Sequence, residues 1–216
     1  MILLGLSRAG KTSVGRLLAE QFGFSFYDTD ELIRIRTSLT PRELCRRAGL
    51  SALHAAEAAA LRECCSLHDC CGGAFAAEPL RHSTPLSLPT DDSAEKRLGI
   101  TVENCAVIAA GGGICDNAEA SAIIAAIPLR VFLYAEEAAL FERLTHDALQ
   151  TGYYPAFLRF LPVAQKAEAR HLFTELYTRR TELYRRSCNL IIDTAGLDCA
   201  AAAQKIAEQS SHFPRT

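Results

Sequence analysis

Gly5-Leu6-Ser7-Arg8-Ala9-Gly10-Lys11-Thr12 is an eight-residue run of the form G-x-x-x-x-G-K-[ST]. Such a run lays main-chain N–H groups and a helix N-terminus around a polyphosphate, a positive concavity built from backbone. Gly10 leaves room for the close approach, Lys11 is placed to reach the β- and γ-phosphates, and the Thr12 hydroxyl is placed to ligate Mg²⁺. The expected nucleotide-binding set is therefore Gly5, Ser7, Arg8, Ala9, Gly10, Lys11, Thr12 and Ser13. The alternative, a glycine-rich turn with no ligand, does not explain why all the required residue types sit between a predicted strand and a predicted helix. The pattern specifies the nucleotide and leaves the phosphoryl acceptor open.

Three further groups have chemistry-bearing types. Asp28-Thr29-Asp30 follows a short apolar run, Gly111-Gly112-Gly113 follows another, and Arg180 stands four residues before Tyr184 late in the chain. Paired acids next to a phosphate loop can hold a metal and orient a hydroxyl, although Asp at a strand end is also a common turn or helix cap. Three glycines mark either a turn or a place where backbone must approach a ligand. Arg180 is a candidate anion clamp or a surface helix residue.

The elements that must carry these groups alternate between apolar strands and helical patterns, the rhythm of a parallel sheet covered on both faces. Strands are predicted at 1–4, 24–27, 105–108, 130–134 and 190–192, and helices at 11–22, from Thr40, at 51–65, at 136–146, at 165–185 and in the Ala-rich terminal stretch. Thr40, Pro41 and Glu43 spell a capping box with proline at the first helical position. The fold class is α/β, three layers with a five-stranded parallel sheet. Residues 151–162, rich in aromatics with Gly152, Pro155 and Pro162, break helical periodicity and read as an exposed loop or flap. The whole chain, 1–216, reads as a single domain with an insertion at 66–100 and a lid at 146–165.

The ordered set of phosphate loop, Asp28-Thr29-Asp30, Gly111-Gly112-Gly113-Ile114 and Arg180-Thr181-Glu182-Leu183-Tyr184 resembles shikimate kinase, a P-loop kinase of the nucleoside-monophosphate-kinase type. The resemblance runs from the phosphate loop to Asp193-Thr194, leaving out the insertion and the tail. It implies ATP and Mg²⁺ as cofactors and transfer of the γ-phosphoryl group to the 3-hydroxyl of shikimate. It also implies Lys11 and Asp30 as catalytic residues, Thr12 and Asp28 as the metal pair, and Arg143 as a residue packing on the adenine. The implied acceptor site is Asp30, His54, Gly111, Gly112, Gly113 and Arg180. Three positions depart from the family pattern. His54 stands where a carboxylate-binding arginine is usual, Tyr154 stands in the flap where an arginine precedes Pro-Leu-Leu, and Arg8 stands where a glycine is usual. Neutral His offers one donor in place of a charged fork, and Arg159 lies near enough to replace the flap arginine. A kinase for another small hydroxylated metabolite, or a nucleotide-binding protein impaired in catalysis, are the alternatives these departures raise.

The 216 residues carry a formal net charge of -2 with 49% hydrophobic and 22% charged residues, which excludes collagen-like, coiled-coil and wholly disordered classes. Nothing in that charge recommends nucleic acid or an anionic membrane as a partner. No apolar run approaches the roughly 20 residues of a spanning helix, and 1–6 is too short for a signal-peptide core, so a cytoplasmic, monomeric protein is expected. The nine cysteines are odd in number and fit thiols kept reduced. Cys64, Cys65, Cys70 and Cys71 around His68 invite a metal site, but adjacent pairs differ from C-x-x-C spacing, and buried thiols are the favoured reading.

Overall fold

The structure, a computed structural model, describes residues 1–67 and 105–210. Most of the expected insertion, and with it His68, Cys70 and Cys71, lies outside the described residues; Cys64 and Cys65 are buried in the core.

Five parallel strands, β1 (Ile2–Leu4), β2 (Ser25–Asp28), β3 (Ala106–Ala109), β4 (Arg130–Tyr134) and β5 (Leu190–Asp193), form one sheet in the order β2-β3-β1-β4-β5. Every residue of β1 and β3 is buried, as a parallel sheet covered on both faces requires, whereas the edge strands are half-exposed. The register aligns Leu3 and Asp28 with Ala109 on either side of β3. The segments that leave β1, β2 and β3 therefore emerge at one edge, where the chain turns to opposite sides of the sheet and a crevice opens.

Seven α-helices are described: α1 (Lys11–Phe22), α2 (Thr29–Thr37), α3 (Pro41–Leu67), α4 (Ala118–Ala126), α5 (Glu137–Thr151), α6 (Lys166–Ser187) and α7 (Cys199–Ser210). The capping box forms as expected: the Thr40 N–H donates to Glu43 Oε2 at 2.9 Å and the Glu43 N–H to Thr40 Oγ1 at 3.2 Å. The two helices expected over 40–65 run as one long element broken at Gly49, whose φ of 87° is left-handed. Sequence pattern missed α2 and α4. The first starts inside Asp28-Thr29-Asp30, which reads as a turn, and the second is too uniformly apolar to show a stripe. Both are capped by side chains, Asp28 and Asn117.

The segment expected to be an exposed loop over 151–162 is corrected by the structure. Helix α5 continues through Thr151, and the residues after it fold back in short 3₁₀ turns closed by an antiparallel bridge between Tyr153 and Pro162. Tyr154 and Leu158 are fully buried. The Tyr154 ring stacks 5.8 Å from Phe141, and its hydroxyl lies 3.2 Å from Thr145 Oγ1. Burial of apolar surface, not proline or glycine content, decides where this segment lies. Tyr154→Ala should destabilise the protein by about 3–5 kcal/mol, the range for emptying a large aromatic site. The check is the midpoint of denaturant unfolding, which should fall at unchanged slope.

Candidate active site

The phosphate loop joins β1 to α1 and is closed by its own lysine. Lys11 Nζ donates to the carbonyls of Gly5 and Leu6, each at 2.8 Å, and the side chain is buried. Burial lowers its pKa from the ordinary 10.5 to about 8, against the opposing pull of Asp30 and Asp28. Holding that charge among these groups costs roughly 3 kcal/mol at neutral pH. A polyphosphate is the ligand that offsets such a penalty. Ala9 is buried beneath the turn, Ser7 is half-buried, and Thr12 and Ser13 are exposed at the start of α1. Gly10 and Arg8 both have left-handed backbone, with φ of 90° and 68°.

Asp28 serves two elements at once. Its Oδ1 accepts from the N–H groups of Asp30 at 3.0 Å and Glu31 at 3.4 Å, capping α2, while its Oδ2 accepts from Thr12 Oγ1 at 2.7 Å. Cap and candidate metal ligand are thus the same residue. A hydroxyl and a carboxylate side by side are hard oxygen donors of the kind Mg²⁺ takes, with phosphates and water completing its shell. Asp30, in the first turn of α2, opens to the cleft but is crowded by its walls. That crowding and neighbouring Asp28 raise its pKa, and Lys11 pulls the other way.

The three glycines after β3 bring the parts together. The Gly111 N–H donates to Thr29 Oγ1 at 2.9 Å, and a Cβ at Gly111 would stand 2.7 Å from Asp30 Oδ1. A Cβ at Gly112 would stand 2.5 Å from Ser7 N and 2.9 Å from Ser7 Cα, inside the backbone of the phosphate loop. At Gly113 the nearest atom would be Arg180 Nη2, at 3.0 Å.

Arg180, reached from the middle of α6, is buried. Its Nη1 donates to the Gly112 carbonyl at 3.0 Å, and its Nε and Nη2 donate to Asp116 Oδ2 at 3.0 and 2.8 Å. Phe157 of the folded-back segment lies 5.7 Å from its guanidinium carbon. Arg179 also grips Asp116, through Nη1 at 2.7 Å and Nη2 at 3.2 Å. Burial works to raise the Asp116 pKa, but the two arginines outweigh it and the pKa is lowered. Two guanidinium groups and one carboxylate leave a net positive charge beside the glycines, which suits an acidic ligand.

His54 is half-buried on α3, and its carbonyl accepts from Asn117 Nδ2 at 2.8 Å. The same amide donates to Glu57 Oε2 at 3.1 Å, and burial raises the Glu57 pKa. Arg143 is exposed on α5, and its Nη1 donates to the Arg8 carbonyl at 2.8 Å. Sequence reading did not single out Thr29, Asp116, Asn117 or Glu57 for the site. Asp116-Asn117, separated from the glycines by Ile114-Cys115, was the available signal, an acid-amide pair opening a helix.

The shikimate kinase family model matches residues 8–83 and 96–211. The chain belongs to the shikimate kinase family. The unmatched stretch, 84–95, lies inside the segment read as an insertion. Shikimate kinase of Chromobacterium violaceum is 25% identical over 216 residues, covering 99% of this chain and 92% of the relative. That of Thermodesulfovibrio yellowstonii is 27% identical over 209 residues, covering 97% and 93%. Among solved structures, shikimate kinase from Acinetobacter baumannii in complex with shikimate matches with a TM-score of 0.69 at 23% identity, over 99% of this chain and 94% of that one. The Bacteroides thetaiotaomicron enzyme matches with a TM-score of 0.67 at 19% identity, over 97% of each chain. At those identities the two structures establish the shared fold. Family membership makes the chain an ATP-dependent kinase acting on an alcohol. No helix among the described residues is long and apolar enough to cross a membrane.

Two measurements test this geometry. Gly112→Ala should lower ATP-dependent turnover at least about 100-fold, since a displacement near 1 Å in a positioning loop has that effect; circular dichroism checks that the fold persists. Nucleotide binding needs charged Lys11, so ATP affinity measured by calorimetry should hold below pH 8 and weaken above it, approaching about tenfold per pH unit.

Proposed function

We propose that the chain transfers the γ-phosphoryl group of ATP to the 3-hydroxyl of shikimate, with Mg²⁺. The observation that carries this reading is the glycine run after β3, which packs against Asp30, Ser7 and Arg180 in succession. One backbone segment thereby sets the distance between the phosphate loop, an acid suited to a hydroxyl, and an arginine suited to a carboxylate.

In this reading the loop amides from Gly5 to Ser13 bind the phosphates, and Lys11 turns from its backbone carbonyls to the β- and γ-oxygens. Arg143 packs on the adenine. Thr12 and Asp28 would hold Mg²⁺, which would supply neutralisation of phosphate charge. Arg180 pairs with the acceptor carboxylate, assisted by the backbone of Gly111–Gly113 and by His54. Asp30 orients the acceptor hydroxyl and takes its proton. A bond forms from the acceptor oxygen to Pγ as the bond from Pγ to the β,γ-bridging oxygen breaks, and ADP leaves. The raised pKa of Asp30 fits a base that must accept a proton near neutrality.

A kinase for a different small hydroxylated acid is the second reading, favoured by His54 at the position where the family pattern has a carboxylate-binding arginine. Incubation with ATP, Mg²⁺ and shikimate should yield ADP and shikimate 3-phosphate in equal amounts by chromatography. Product from other hydroxy acids but none from shikimate would select the second reading. Asp30→Asn should lower kcat by about 10²–10⁴, the range for a positioned general base, while ATP affinity by calorimetry stays nearly unchanged.

A further inference from the structure

Arg8 is a non-glycine residue held at φ 68° inside the phosphate loop, a conformation that costs roughly 1–2 kcal/mol for an ordinary side chain. Strain of this kind at a binding loop is an observation from which function is inferred. The side chain is 56% exposed, and its Nε meets Asp147 Oδ2 at 2.5 Å. Asp147 lies about one turn from the C-terminus of α5, where the helix dipole disfavours an acid. Arg143, one turn earlier on the same face of α5, holds the Arg8 carbonyl. Helix α5 thus grips the loop residue by both its backbone and its charge.

Two other cations of the site are committed to protein acceptors. Lys11 is buried on the carbonyls of Gly5 and Leu6, and Arg180 is held by Asp116 and Gly112. The segment 152–165 contains one arginine, Arg159, which is exposed. What that segment turns to neighbouring elements is aromatic: Phe157 lies against Arg180, and Phe160 lies 4.5 Å from the Arg42 guanidinium carbon. An exposed guanidinium with four N–H groups beyond its Nε, rooted among the phosphate-binding amides, is matched to phosphate oxygens by shape and charge.

We propose that Arg8 is a catalytic residue of this chain, moving from Asp147 to the γ-phosphate oxygens of bound ATP, where it neutralises the phosphoryl group during transfer. Asp147 is a positioning residue that parks the guanidinium when no nucleotide is present. The exchange breaks one ion pair and forms another, and no covalent bond is involved. This inference rests on the ATP-dependent kinase reading and adds to it the residue that discriminates ATP from ADP.

The test compares the full chain with Arg8→Gly, Arg8→Lys and Asp147→Asn. Glycine is the residue this backbone favours, so Arg8→Gly keeps the loop foldable. Calorimetry with Mg²⁺ measures binding of ADP and of a non-hydrolysable ATP analogue, and turnover is measured with ATP and shikimate. Arg8→Gly should lower kcat by about 10²–10³, as loss of one charge-stabilising donor does. It should weaken the ATP analogue about tenfold while ADP affinity changes less than about threefold. Arg8→Lys should restore part of the lost kcat, and Asp147→Asn should lower the KM for ATP by about two- to fivefold, since the competing carboxylate is gone. The proposal is overturned if Arg8→Gly keeps kcat within about threefold, or if it weakens ADP and the ATP analogue equally. A rise in KM on Asp147→Asn matching that of Arg8→Gly would also overturn it, as the mark of a structural pair. If the unmodified chain fails to phosphorylate shikimate, the acceptor reading falls, and the ratio of ATP-analogue to ADP affinity across the variants still decides the role of Arg8.

Discussion

The backbone of Gly112 rests against the backbone of Ser7, and the site depends on that contact. No residue with a Cβ fits there, because the added carbon would sit within 3 Å of main-chain atoms that cannot swing away. Parallel register brings the two loops to the same sheet edge, and the missing side chain lets them touch. The neighbouring glycines extend the contact to Asp30 on one side and Arg180 on the other. Phosphoryl transfer asks for little beyond alignment and charge, so a rigid backbone joint between donor and acceptor sites is itself a functional device.

The charges around this joint are only partly compensated by the protein groups beside them. Lys11 is buried on the carbonyls of Gly5 and Leu6, with its pKa lowered to about 8. Asp30 is crowded beside Asp28, and its pKa is raised. Arg179 and Arg180 share one carboxylate, Asp116, which leaves positive charge over. A polyphosphate answers the first, a hydroxyl the second and an acid the third. Arg8 and Asp147 form a further pair whose partner can be exchanged, because the pair is half-exposed and lightly held.

The segment after α5 shows how packing overrides composition. Its glycine and prolines break helical periodicity and make it read as a loop at the surface, yet Tyr154 and Leu158 seal it to the core beside Phe141. Anchored by a buried aromatic, the segment presents Phe157 to Arg180 and Phe160 to Arg42.

By itself the order of residues determined the parallel sheet, the phosphate loop at its centre, the helix that starts at Lys11, and the acids and glycines at strand ends. Those features are local: each depends on hydrophobic period, turn chemistry or a short motif that neighbouring residues complete. Only the tertiary structure decided that Asp28 caps α2 while binding Thr12, that Asp116 holds Arg180 from 64 positions away, and that Asn117 ties α4 to His54 and Glu57. Only it showed Tyr154 buried and Arg8 paired with Asp147. These are contacts between side chains distant in sequence. Which polar groups meet across a cleft follows from strand order and helix packing, and no local pattern records it.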